Sequence, residues 1–318
     1  MDSTYVVGID VGGQTSKIGV VDARGTVLAQ TVIRTDTYSE VEPYIAELAD
    51  AVNRLIRESG TEGKVRGIGV GAPNGNYYTG TIENAPNLLW GRQRVEFSKL
   101  LSKAMKGLPV ALTNDANAAA VGEMTYGAAR GMKNFIMITL GTGVGSGIVI
   151  NGEVVYGHDG FAGELGHVAA VRNNGRVCGC GKTGCLETYA SATGVARTAH
   201  EWLELTDEPF VLRSLDSIAS KDVYEAAKDG DKLALKIFEF TGKILGRSFA
   251  DFIAFSSPEA IVLFGGLARA KEFLTEPIEN AMNENVLPLW RNKVKIVFSQ
   301  LKESDAAILG ASALAWEL

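Results

Sequence analysis

Cysteine and histidine are scarce in this chain, three of each in 318 residues, and all three cysteines crowd between positions 178 and 185. An odd, clustered cysteine count excludes a disulfide framework, which needs pairs and an oxidising compartment. Long apolar runs are missing too. The longest such segment, 135–150, is broken by Gly141, Gly143, Gly145 and Gly147 and is too short to span a bilayer. Basic excess is absent: a net charge of −6 and a pI near 5.3 disfavour a partner whose affinity rests on neutralised phosphates. The opening Met1-Asp2-Ser3-Thr4 lacks the basic-then-apolar order of a secretory signal. The expected setting is therefore the cytoplasm, with no membrane and no nucleic acid as partner. Against these absences stand 46% hydrophobic and 21% charged residues, a globular composition long enough for two domains.

The cysteine stretch reads Cys178-Gly179-Cys180-Gly181-Lys182-Thr183-Gly184-Cys185, with His167 upstream. Three thiols and an imidazole are the ligand set of a tetrahedral structural zinc site, and the glycines let the backbone turn every sulfur inward. Free cysteines packed as small hydrophobes sit singly among aliphatic neighbours, which this loop lacks. His167 is the nearest fourth ligand; His158 and His200 are its rivals.

Period-two alternation predicts strands at 5–10, 16–22 and 27–34, the last two joined at Ala23-Arg24-Gly25. Val41, Ile45, Leu48, Ala49, Val52, Leu55 and Ile56 recur at helical spacing over 41–59, and Gly60 ends the run before a strand at 65–71. A second round follows: strand 134–140, a glycine-rich turn 141–147, strand 148–150, an Asn151-Gly152 hairpin and strand 153–156. The shared order points to an internal duplication with a ligand between the halves. Beyond it come helices at 222–229 and 232–255, a strand at 260–264 opening through Gly265-Gly266-Leu267 into a helix, a strand at 294–298 and a helix at 305–316. The helical stretch 202–231 carries no motif.

Three glycine turns follow strands. Asp10-Val11-Gly12-Gly13-Gln14-Thr15 puts an acid at a strand end before bare backbone that can cradle a phosphate, and Asp10 can hold Mg²⁺ directly or through water. Gly141-Thr142-Gly143 and Gly265-Gly266, the latter before a helix N-terminus, repeat the device. Three such turns favour a nucleotide over ordinary hairpins. Asp115, between a strand at 110–112 and an alanine-rich helix, can either accept a proton from a substrate hydroxyl or cap that helix. Glu164 and Glu187 bracket the cysteine loop, and paired carboxylates beside asparagines suit a polyhydroxylated ligand such as a sugar.

Together these residues resemble the ROK family (repressors, open reading frames and sugar kinases) over nearly the whole chain. The resemblance is carried by the turn at Asp10, Asn114-Asp115-Ala116-Asn117 with Gly122-Glu123, Leu140-Gly141-Thr142-Gly143-Val144-Gly145, Gly163-Glu164-Leu165-Gly166-His167, the cysteine loop through Leu186-Glu187, and Gly265-Gly266. It implies an α/β, two-domain actin/hexokinase-like (ribonuclease H-like) fold with an interdomain cleft and a zinc knuckle. The small domain would be 1–115, with 301–318 packing back onto it, and the large domain 116–300. Asp115 would be the general base for a sugar hydroxymethyl group attacking ATP; Asn87, Asn114, Asp115, Glu164, His167 and Glu187 would bind the sugar. ATP and Mg²⁺ would meet Asp10, Gly12, Gly13, Gln14, Thr15, Lys17, Gly141, Thr142, Gly143, Gly265 and Gly266. Zn²⁺ would sit on His167, Cys178, Cys180 and Cys185. Asn84-Ala85-Pro86-Asn87-Leu88-Leu89-Trp90 resembles the loop that closes over glucose in the family's glucokinases, so glucose is the expected substrate. N-acetylmannosamine, N-acetylglucosamine and fructose kinases of the same family, and a non-catalytic sugar sensor, are the alternatives. A homodimer or homotetramer follows from the family's habit. One departure stands out: the family's first turn reads Asp-x-Gly-Gly-Thr, whereas Gln14 takes the threonine position here, which implies altered nucleotide affinity.

Overall fold

The computed structural model describes residues 4–318 apart from the Glu303 side chain; Met1, Asp2 and Ser3, on which the expected absence of a secretory signal rests, lie outside the described residues. In chain order the elements begin β1 (Tyr5–Val11), β2 (Thr15–Asp22), β3 (Val27–Arg34), α1 (Val41–Glu58), β4 (Val65–Gly71), β5 (Gly75–Asn76), β6 (Thr81–Ile82), α2 (Phe97–Ala104), β7 (Val110–Thr113) and α3 (Asp115–Tyr126). They continue with β8 (Phe135–Leu140), β9 (Val144–Ile150), β10 (Glu153–Val154), α4 (Glu187–Ala190), α5 (Ala192–Leu203), α6 (Ser220–Lys228), α7 (Lys232–Ser256), β11 (Ala260–Phe264), α8 (Lys271–Asn285), β12 (Lys295–Phe298) and α9 (Glu303–Leu314).

Two five-stranded sheets share one topology. The first runs β3-β2-β1-β4-β7 and the second β10-β9-β8-β11-β12. In the first, β1 pairs antiparallel with β2 and parallel with β4, and β4 parallel with β7. In the second, β11 lies parallel between β8 and β12, and β9 pairs antiparallel with β10. The repeated order is the structural form of the duplication read from the sequence. The central strands are buried along most of their length, as parallel strands covered on both faces must be.

The chain divides into two compact units, one formed by the chain through Met132 with Gly147–Gly163 and Gln300–Leu318, the other by Lys133–Ser146 and Glu164–Ser299. The first unit thus reaches past residue 115 and takes in α3. The reason is close backbone approach: a Cβ on Gly122 of α3 would stand 2.7 Å from Gly310 Cα in α9, and one on Gly310 would stand 2.9 Å from the Ala118 carbonyl oxygen. Only glycine at both positions lets the helices meet at that distance. In α9 and β1, a Cβ on Gly8 would fall 2.1 Å from the Ile308 carbonyl oxygen, so α9 is seated directly on the sheet.

Two expectations are corrected. The glycine-rich stretch expected as one long turn over 141–147 is a turn only at its start; β9 begins at Val144 because Gly145 and Gly147 accept extended backbone. Gly265-Gly266 opens first into a single 3₁₀ turn, Gly266–Ala270, and only then into α8.

Candidate active site and metal centre

In the first unit, β1 delivers Asp10 and then turns at once. The Gly12 N–H donates to the Thr15 carbonyl (3.1 Å), closing a tight turn into β2. Among the described residues the Gly13 and Gln14 amides have no backbone or side-chain partner, the arrangement that binds an anion. Gly13 has to be glycine, since a Cβ there would sit 2.8 Å from the Asn87 carbonyl oxygen. The 84–90 loop is thereby brought against the turn, held by Leu88 in the core and by Trp90, whose ring stacks on Tyr44 at 5.0 Å. The Tyr44 hydroxyl meets Ser16 Oγ, which meets Thr35 Oγ1, each at 2.7 Å. This buried hydroxyl chain beneath the turn was not read from the sequence, because its members lie on three separate elements and share no spacing.

Asn114, not Asp115, caps α3. Its Oδ1 accepts the Asn117 N–H at 2.7 Å, and Asp115 becomes the first helical residue. The capping use weighed for Asp115 is therefore taken by its neighbour. The Asp115 carboxylate accepts the Ala116 N–H (2.8 Å); the residue is open to solvent, yet desolvation by the protein packed around it outweighs that bond and raises its pKa above the ordinary carboxylate range. Asp10 is pushed up to about 6, by burial first and then by the charge of Asp115, with Lys17 pulling the other way. Lys17 lies opposite Asp10 in the β1–β2 register. Asp10, Asp115 and Lys17 thus form one electrostatic group.

In the second unit, the Gly141 N–H donates to the Gly143 carbonyl (3.0 Å), and the Thr142 and Gly143 amides are left without partners among the described residues. Gly265, at φ 104°, lies against the end of β8: a Cβ there would stand 2.6 Å from the Leu140 carbonyl oxygen. The second and third glycine turns are thus neighbours. Glu164 precedes a 3₁₀ turn, Leu165–His167, whose Leu165 N–H donates to Ser146 Oγ (3.0 Å) and whose Gly166 packs on the Val144 carbonyl. Glu187 starts α4, and its Oε2 accepts the Val144 N–H at 2.9 Å.

His167, Cys178, Cys180 and Cys185 converge, with one ligand atom from each lying within 4.8 Å of the others. Neither His158 nor His200 joins them. A tetrahedron with metal–sulfur bonds of about 2.3 Å has edges of roughly 3.8 Å. Cys178 Sγ lies 3.7 Å from His167 Nδ1, and Cys180 Sγ 3.7 Å from Cys185 Sγ, so these two edges have the length of a zinc tetrahedron. The loop is closed by the Cys178 N–H on the Lys182 carbonyl (2.8 Å), and Lys182 Nζ ties it to the His167 carbonyl (2.8 Å). Burial, with hydrogen bonding to the neighbouring thiols, pushes Cys185 up to about 12. Three crowded thiols resist ionising together until a cation compensates them. Arg176, buried two residues before the loop, donates to the Thr188 carbonyl and Glu201 and lies 4.5 Å over the Tyr189 ring. It was not foreseen either; nothing local marks an arginine whose partners lie 12 to 25 residues away.

The ROK family model matches residues 6–317. A glucokinase of Halalkalibacterium halodurans is 37% identical over 98% of this chain and 94% of its own. A ROK family glucokinase from Streptomyces griseus, solved in complex with glucose and AMPPNP, aligns over 99% of this chain and 100% of its own with a TM-score of 0.79 and 32% identity. A ROK family transcriptional regulator, homolog of the E. coli MLC protein, aligns with a TM-score of 0.88 and 28% identity over 98% of this chain but 78% of its own. The chain belongs to the ROK family, and its mixed α/β fold is the actin/hexokinase-like fold of the ROK kinases. No helix of the described residues is long and apolar enough to cross a membrane.

Proposed function

We propose that this protein is an ATP-dependent hexose kinase that phosphorylates glucose at its 6-hydroxyl, in the cytoplasm and as a homodimer or homotetramer. The observation that carries the reading is Asp115: Asn114 takes the capping role, Asp115 stays open to solvent at the start of α3, and the protein packed around it raises its pKa, the basicity a general base needs. The sugar hydroxyl oxygen attacks the γ-phosphorus, its proton passes to the Asp115 carboxylate, the bond to the β-phosphate oxygen breaks, and ADP leaves. Asn87, Asn114, Glu164, His167 and Glu187 hold the sugar hydroxyls. The Gly12–Thr15 and Gly141–Gly143 turns, with Gly265 and Gly266, offer amides to the nucleotide phosphates. Mg²⁺, when bound, neutralises charge developing on those phosphates; Asp10 would hold it, directly or through water. Zn²⁺ on His167, Cys178, Cys180 and Cys185 would brace the Glu164–His167 and Glu187 segments. The glucokinase relatives support glucose over other hexoses.

The test is ADP release from Mg-ATP against glucose, fructose, mannose, N-acetylglucosamine and N-acetylmannosamine. Strong preference for glucose is expected. Preference for an acetamido sugar would keep the mechanism and overturn the substrate, and glucose binding without turnover on any sugar would identify a sensor.

A further inference from the structure

The Gly141–Gly143 turn is held at three points by one short segment. The Ala192 N–H donates to the Gly141 carbonyl (2.8 Å), Thr193 Oγ1 to the Thr142 carbonyl (2.9 Å), and the Val144 N–H is drawn off by Glu187 Oε2 (2.9 Å). Gly143 is glycine for the same reason: a Cβ would stand 2.4 Å from that carboxylate oxygen. The other oxygen, Oε1, lies 3.8 Å from Cys178 Sγ. Glu187 therefore stands between the metal ligands and the turn, one oxygen on each side. By taking the Val144 amide it fixes the end of the turn, and the Thr142 and Gly143 amides are left with no acceptor among the described residues.

We propose that Glu187 is a positioning residue for nucleotide binding: beyond any contact with sugar, its hydrogen bond to Val144 holds the Gly141–Gly143 turn in the shape that receives phosphate. The proposal rests on the kinase reading, in which this turn binds the nucleotide. An amide can still accept the Val144 N–H, whereas a thioether of similar volume cannot replace a carboxylate oxygen there. Glu187→Gln therefore keeps the positioning bond, and Glu187→Met loses it.

The experiment is calorimetric titration of AMPPNP with Mg²⁺, without sugar, into the wild type and both variants, alongside glucose titrations, zinc content per chain and thermal melting. Glu187→Met should weaken nucleotide binding about tenfold, the order expected for a lost hydrogen bond to a charged group. Glu187→Gln should stay within about threefold of wild type for nucleotide, a difference smaller than one neutral hydrogen bond, while both variants lose glucose affinity. Unchanged nucleotide affinity in a folded, zinc-loaded Glu187→Met protein would overturn the proposal. If that variant does not fold, Glu187→Leu, which also lacks an acceptor for the Val144 N–H, takes its place with the same outcomes: a nucleotide loss absent in Glu187→Gln supports the proposal, and unchanged nucleotide affinity overturns it. Failure of the wild type itself to bind nucleotide would instead sink the kinase reading.

Discussion

The turn after β1 and the turn after β8 occupy the same place in two sheets of one topology, yet different groups brace them. The first is supported by backbone and by a buried hydroxyl chain: the Asn87 carbonyl against Gly13, and Ser16, Thr35 and Tyr44 beneath. The second is supported by a carboxylate and two residues of α5, in a segment that starts directly after the last cysteine of the metal loop. The two sheets repeat one strand-turn-strand frame, and each turn is braced by the segments that follow it in the chain. The first brace is made at folding. The second stands beside the four candidate metal ligands, with Glu187 Oε1 3.8 Å from Cys178 Sγ.

The largest effect expected is on chemistry, through the proposed general base Asp115 of the first unit. Asp115→Ala should lower kcat by roughly 10²–10⁴-fold, the contribution of a general base, with glucose affinity within about tenfold of wild type. Full turnover in that variant, measured by ADP release, would remove the base from the mechanism. Next in size is metal removal, which should separate the two regions. Chelation or Cys185→Ala should lower the melting temperature by more than about 5 °C, as losing a structural metal does. Hydrogen exchange should then quicken at the Val144 amide and stay slow at Gly12; equal loss at both would show that the braces are not independent.

The glycines offer a finer comparison. In Gly13→Ala the new methyl meets a backbone carbonyl at 2.8 Å, whereas in Gly143→Ala it meets the end of a side chain at 2.4 Å. Side chains move more cheaply than backbone, so Gly13→Ala should cost more nucleotide affinity than Gly143→Ala despite the longer distance. The reverse order, by calorimetry, would mean that Glu187 is held more rigidly than the 84–90 loop.

A pH effect in the acid range is expected of the first region. The Asp10 carboxyl titrates near 6 when folded against 3.8 in its ordinary state, so the folded protein binds the proton more tightly than the unfolded chain. In magnesium-free protein this contribution to stability should fall as pH rises from about 4 to about 6, and Asp10→Asn should flatten the melting profile over that window. A wild-type profile that rises across the window would contradict the burial of Asp10. The smallest effect is expected from Gln14→Thr. The Gln14 carbonyl accepts the Thr35 N–H (2.8 Å) and the side chain is exposed, so the turn survives the exchange. Nucleotide KM should shift by less than about threefold, as for surface substitutions elsewhere, and a larger shift would show that the side chain reaches the phosphates.

The strands at 27–34, 65–71 and 260–264 were legible from alternation and apolar runs, and their bounds agree with the structure. The convergence of Cys178, Cys180 and Cys185 on one point was legible because the three sulfurs are close in sequence and the glycines announce a tight turn. The choice of Asn114 over Asp115 as cap was not legible, since both residue types cap helices well and adjacent positions differ only in where the chain enters the helix. Nor was the start of β9 at Val144, because glycine carries no preference that separates strand from turn.

Local pattern alone determined the repeated strand-turn-strand frame, the glycine turns and the clustering of the three cysteines, each written within a few residues by spacing and by the conformational range of glycine. Tertiary structure decided which groups hold those turns in shape: Asn87 at Gly13, Glu187 at Val144, Arg176 under the metal loop and α9 against α3. These contacts join positions tens to nearly two hundred residues apart, and their energy comes from burial and close backbone approach, which no local spacing records.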